Sequence, residues 1–182
     1  MLRLTWKYLT MSTMTIRQLV TAGLLAIIVL PISSMTVAGE FPLADVVVIE
    51  KAERKLHLVQ DGEIFRTFDI ALGIRPVGDK KQEGDFKTPE GEYNLDIRNA
   101  NSDFFLSIHV SYPSRLDRRE ANNLGVDPGG SIMIHGQPNK PIHSETYYQT
   151  QDWTNGCIAV SNSDMIDIWL MTGENTPIEI RP

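Results

Sequence analysis

The residues best suited to chemistry fall in one stretch, Ser131 to Asn162. It holds the chain's single cysteine, Cys157, and a histidine, His135. Each stands where a short apolar, β-branched run meets a glycine: Ser131-Ile132-Met133-Ile134-His135-Gly136 and Trp153-Thr154-Asn155-Gly156-Cys157-Ile158-Ala159-Val160. Strands that end in such turns present a side chain from a rigid scaffold. A thiol attacks a carbonyl carbon only as thiolate, and a neighbouring imidazole can take its proton and later return it to the leaving amine. Gly156, lacking a Cβ, lets the backbone turn so that amides around Cys157 point at a developing oxyanion. Residue types alone leave a second reading open, in which Cys157 is a small buried hydrophobe and His135 a satisfied core or surface residue.

The elements that must position these two residues read as mostly β. Ala44 to Glu50 is strand-like, Lys55 to Val59 alternates, Asp61-Gly62 is a hairpin turn signal, and Ile64 to Leu72 alternates again. Gly73 to Gly91 is a long polar loop, and loops of that length are usually functional or mobile. Tyr93 to Ile97 and Phe104 to Val110 read as strands, and Arg115 to Ala121 as a short helix or rim loop. Asp127-Pro128-Gly129-Gly130 turns the chain into the strand that delivers His135. Ser161-x-x-Asp164 opens a helix through Met171, Gly173 is a natural stop for it, and Thr176 to Ile180 closes the chain as a strand. No repeat, low-complexity tract or second domain is seen.

The 182 residues have room for one ordinary domain plus an appendage. Residues 1–38 carry Arg3, Lys7 and Arg17, no acid, and an uncharged run from Leu19 to Ile32, followed by Thr36-Val37-Ala38. This is the pattern of a secretory signal cleaved after Ala38, or of an uncleaved N-terminal anchor. Without it 14 basic residues face 23 acidic ones, a net charge near −9. Such a domain does not bind nucleic acid through net charge, and membrane contact would come only through the N-terminal segment. Export favours disulfides, yet a lone cysteine forms none within the chain. A thiol kept where oxidation threatens fits a nucleophile better than chance retention.

The I-H-G and T-x-G-C-I motifs resemble the signature of the L,D-transpeptidase catalytic domain family, also called YkuD-like or ErfK/YbiS/YcfS/YnhG-type, which acts on bacterial peptidoglycan. The run Lys81-x-Glu83-Gly84-Asp85-x-x-Thr88-Pro89-x-Gly91-x-Tyr93 adds a second point of similarity, and the resemblance covers roughly residues 43 to 181. It implies a mainly β fold, a β-sandwich with one or two short helices over residues 43–182, with Cys and His at the mouth of a cleft. It also implies roles: Cys157 as acyl-forming nucleophile, His135 as base and then acid, the Gly136 carbonyl orienting the imidazole, and the amides of Gly156 and Cys157 as oxyanion donors. Trp153, Thr154 and Asn155 would contact substrate. The family's usual S-H-G-C is here Thr154-Asn155-Gly156-Cys157, and the arginine that often follows the motif is Ala159. Recognition of a substrate carboxylate therefore falls to Arg115, Arg118, Arg119 or Lys140, or the substrate differs.

The resemblance implies attack on the amide between the third residue of a tetrapeptide stem and its terminal D-alanine, in an exported enzyme of periplasm or cell envelope. An amine acceptor then makes it a transpeptidase; water makes it a carboxypeptidase or cross-link hydrolase. Peptidoglycan stem peptides are the expected partners, the protein is expected to be monomeric, and no cofactor or metal is called for. A metal hydrolase using His109, His135, His143 and Cys157 has no H-E-x-x-H or paired C-x-x-C spacing behind it. A catalytically silent envelope-binding module is the third possibility.

Overall fold

The structure, a computed structural model, describes residues 41–182. The leader expected over residues 1–38 lies outside them. Eight strands and three helices follow: β1 (Val46–Glu50), β2 (Lys55–Gln60), β3 (Glu63–Asp69), β4 (Gly91–Ser102), β5 (Phe105–Val110), α1 (Arg115–Leu124), β6 (Met133–His135), α2 (Glu145–Thr150), β7 (Ile158–Ala159), α3 (Asn162–Met171) and β8 (Thr176–Arg181). The period-2 patterning works as expected in β2, where Leu56 and Leu58 are fully buried while His57 between them meets Thr67 across the hairpin. Asp61 and Gly62 both take left-handed φ values, +52° and +81°, and close the β2–β3 turn.

All eight strands belong to one sheet in the order β3-β2-β1-β8-β4-β5-β6-β7. The final strand does not lie at an edge: β8 inserts between β1, to which it is parallel, and β4, to which it is antiparallel. The layering expected of a sandwich comes from this one sheet curling over. The chain just past β3 reaches the far edge, where Ala71 and Ala159 exchange amide-to-carbonyl hydrogen bonds of 2.8 Å each, and Thr154 donates to the Leu72 carbonyl at 3.1 Å. These bonds cover the β7 edge, which would otherwise stand open. The curl also encloses one core, in which Val47, Ile49, Leu56 and Leu58 from one half pack with Ile108, Ile134, Ile158 and Ile178 from the other. Burying Ile134 and Ile158, each without exposed surface, is worth roughly 2 kcal/mol apiece.

The helices are short and capped by sequence-local groups. Ser161 caps α3, accepting from the Asp164 amide at 3.1 Å, as the Ser-x-x-Asp pattern predicts. Its end differs from expectation: Gly173 is not left-handed, and α3 stops because Thr172 turns extended while its hydroxyl bonds back to the Ile168 carbonyl at 2.7 Å. In α1, Ser114 and Asp117 form a reciprocal capping box. The six-residue α2 has no counterpart in the sequence reading, because helices so short carry too little periodicity to show.

The long loop of residues 73–91 is strongly tethered. Lys51, 2% exposed, donates to the carbonyls of Gly78 and Thr88, both at 2.9 Å, and to Glu90 at 2.7 Å. Within the loop, Asp85 accepts from Lys80 Nζ and from the amides of Lys81, Gln82 and Lys87 over 2.8–3.1 Å. Burial alone would raise this carboxyl's pKa, but Lys80 and the three amides bring it below the ordinary range.

Candidate active site

His135 ends β6 and Cys157 immediately precedes β7. The two strands pair in parallel, Ile134 against Ile158 and His135 against Ala159. Residues two apart on a strand share a face, so Cys157 lies on the same face as His135, diagonally across one strand spacing. Both line a cleft of about 660 Å³. The core side of these short strands holds Ile134 and Ile158, which fixes their register.

Tight turns deliver both residues. Gly136 sits in a crowded place, where a Cβ would come within 2.5 Å of Asn162 Oδ1, 3.0 Å of Phe105 Cβ and 3.1 Å of the Phe104 carbonyl oxygen. Gly156 has φ +130°, and a Cβ would lie 2.6 Å from the Lys87 carbonyl oxygen. The turn before Cys157 is held from outside by Asp152, which accepts one bifurcated hydrogen bond from Arg54 Nε and one from Nη2 and also takes the Leu72 amide at 2.9 Å. Asp152 is thus structural.

The imidazole is oriented by the backbone. His135 Nδ1 donates to the Gly136 carbonyl at 2.7 Å, which leaves Nε2 unprotonated in the neutral ring and able to receive a proton. His135 is 4% exposed, and that burial holds its pKa down to about 4 although the Gly136 carbonyl favours the cation. Cys157 is half-buried. Burial pushes its thiol up, opposed by the Met133 amide and the positive charge of Lys80, and Sγ lies 3.6 Å from the Ser131 carbonyl. At rest both groups are therefore neutral, with the thiol directed at the Ser131 carbonyl and no hydrogen bond between Sγ and the imidazole among the described residues.

The expected oxyanion pair is only half available. The Gly156 amide donates to Thr154 Oγ1 at 3.0 Å, so it is turned into the turn rather than toward the cleft. The Cys157 amide has no hydrogen-bond partner among the described residues and remains a free donor next to the thiol. Thr154, 4% exposed, also lines the cleft, and its hydroxyl donates to the Cys157 carbonyl at 2.7 Å and accepts from Gly156, and so closes the turn. Asn155 is exposed and Trp153 half-buried, and both line the cleft.

Arg115 and Arg118 lie exposed on α1, and neither they nor Arg119 and Lys140 line the cleft. The cation that does is Lys80, 4% exposed, bonded to the Gln82 carbonyl at 3.0 Å and Asp85 at 2.8 Å. The sequence could not separate it from the adjacent Lys81, which is exposed and bridges Asp79 and Glu120. Ala159, where family members often carry arginine, is 2% exposed within the closure seam. Phe104 is a second unforeseen wall: its ring lies 4.6 Å from His135 and 5.9 Å from Trp153, and the Trp153 indole N–H donates to the Tyr148 carbonyl. Of the four side chains weighed as metal ligands, His109 pairs with Asp96 at 2.7 Å and His143 stacks on Tyr147, leaving only His135 and Cys157 in the cleft.

Comparison with known proteins agrees with this arrangement. The model of the YkuD family, the L,D-transpeptidase catalytic domain, matches residues 44–180. YafK of Escherichia coli (strain K12) is 33% identical over 94 residues, which are 48% of this chain and 36% of that protein. The helical cell shape determining protein Pgp2 from Campylobacter jejuni is 28% identical, with a TM-score of 0.56 over 75% of this chain and 46% of that one. Bd1075 of Bdellovibrio bacteriovorus, at 23% identity and a TM-score of 0.53 over 76% of this chain and 48% of that one, shares the fold. The chain thus spans less than half the length of these relatives. With a histidine on the I-H-G strand, a cysteine behind the T-x-G-C turn and the family model running across both, this chain belongs to the YkuD family of L,D-transpeptidase catalytic domains.

Proposed function

We propose that the protein is an exported, cysteine-dependent L,D-transpeptidase acting on peptidoglycan stem peptides in cell-wall remodelling. The observation that carries this reading is the presence of Cys157 and His135 in one open cleft, with Nδ1 committed to the Gly136 carbonyl and Nε2 left to handle protons. Cys157 gives its proton to Nε2 as sulfur attacks the stem carbonyl, the tetrahedral oxyanion is met by the Cys157 amide, and the imidazolium protonates the departing D-alanine nitrogen. The thioester then passes to an amine, whose surplus proton returns to Nε2. A cleft of this volume accommodates an extended peptide, and the similarity to a cell-shape protein supports a wall substrate.

The test is intact mass spectrometry after incubation with a disaccharide tetrapeptide or a carbapenem. An adduct on Cys157, absent in Cys157→Ala, is expected; an unmodified wild-type protein, or an active Cys157→Ala, would eliminate the cysteine route. Supplying amines and analysing the products separates transfer from hydrolysis, in which water resolves the same acyl-enzyme and the protein is an L,D-carboxypeptidase or cross-link hydrolase.

A further inference from the structure

Ser107 is 2% exposed, and its hydroxyl has no hydrogen-bond partner among the described residues. A buried hydroxyl left unpaired costs about 1–3 kcal/mol, so its retention calls for a reason. Its place supplies one. In the β5–β6 ladder Ser107 pairs with His135, and the Gly136 amide donating to the Leu106 carbonyl makes this a non-hydrogen-bonded pair, the type in which side chains approach closest. In the β4–β5 ladder Ser107 pairs with Asn99. Asn99, Ser107 and His135 thus form a row across three strands at one level, and all three line the cleft.

Cys157 approaches His135 from the other flank, because β6 lies between β5 and β7. Taking the transpeptidase reading as given, the nitrogen that leaves the tetrahedral intermediate must lie against Nε2 to be protonated, and the nitrogen that enters must lie there to be deprotonated. We infer that Ser107, with Asn99 beside it, is a positioning residue that holds this exchanged amine at the β5-facing side of Nε2, next to the acyl carbon that Sγ carries. A hydroxyl suits the task because it accepts from an amine N–H and donates to a carboxylate or carbonyl of the same amino acid. In the first half-reaction the carbon–nitrogen bond breaks as the carbon–sulfur bond remains, and the imidazolium proton goes to nitrogen. In the second a carbon–nitrogen bond forms to the entering amine, Nε2 takes that amine's surplus proton, the carbon–sulfur bond breaks, and the proton passes to the departing sulfur. Ser107 gains and loses no covalent bond.

The experiment compares wild type, Ser107→Ala and Ser107→Thr for D-alanine release from a disaccharide tetrapeptide, iodoacetamide alkylation of Cys157, and thermal midpoint. Ser107→Ala is expected to lose roughly tenfold in D-alanine release while alkylation is unchanged and the midpoint is no lower, since an unpaired buried hydroxyl has been removed. Ser107→Thr, which keeps the hydroxyl, is expected to retain more activity than the alanine variant. Wild-type release by Ser107→Ala, or a loss matched by slower alkylation, overturns the inference and leaves the function standing. A wild-type protein that releases no D-alanine and forms no adduct overturns the function itself and the inference with it.

Discussion

At the residue scale, burial sets the protonation states that the chemistry must work from. The His135 imidazole, with its pKa held down to about 4, is neutral around pH 7, and the Cys157 thiol is raised. Iodoacetamide alkylation of Cys157 should therefore rise steadily between about pH 6 and 9 as thiolate forms, without the acid-side plateau of a preformed ion pair. The same burial links acid to unfolding. The unfolded chain's histidine takes up a proton below about pH 6.5, and the folded His135 does so only near 4. Stability is full above the higher value and falls as pH drops through this window. Urea unfolding should show up to roughly 3 kcal/mol of loss from this group, flattened in His135→Gln, which cannot be protonated there.

At the element scale, the site depends on two short turns more than on the strands they terminate. Thr154 closes the turn ahead of Cys157 from both sides, accepting from Gly156 and donating to the Cys157 carbonyl. Thr154→Val, nearly equal in shape, leaves a buried amide and carbonyl unpaired. A loss of about 1–3 kcal/mol in urea unfolding is expected, together with slower alkylation of Cys157. Unchanged alkylation would show that the turn holds its form without the hydroxyl. The two strands themselves were legible: the β-branched runs around Ile134 and Ile158 signal buried strands, and the glycines after His135 and before Cys157 mark where one ends and the other begins. The Gly156 amide was misassigned because a sequence shows that a turn can point an amide outward but not that Thr154 captures it.

At the scale of the whole molecule, one curled sheet brings together parts of the chain that are far apart in sequence. Lys51, next to the end of β1, anchors the loop of residues 73–91, whose Lys80, Glu83, Gly84 and Phe86 form part of the cleft. Lys51→Met would leave Glu90 partly buried without its counter-ion. A loss of about 3–5 kcal/mol is expected, with limited proteolysis cutting first between residues 73 and 91. The sequence by itself determined the candidate residues and the family: a single thiol, a histidine at a strand end, and motif spacings that name the family. Periodicity determined the mainly β character, since alternation follows from the pleat alone. Only the tertiary structure decided which cation lines the cleft, Lys80 rather than Lys81 or the α1 arginines, and which strand neighbours His135. Those outcomes depend on β8 inserting in mid-sheet and on Ala71 meeting Ala159, long-range pairings whose partners no local pattern encodes.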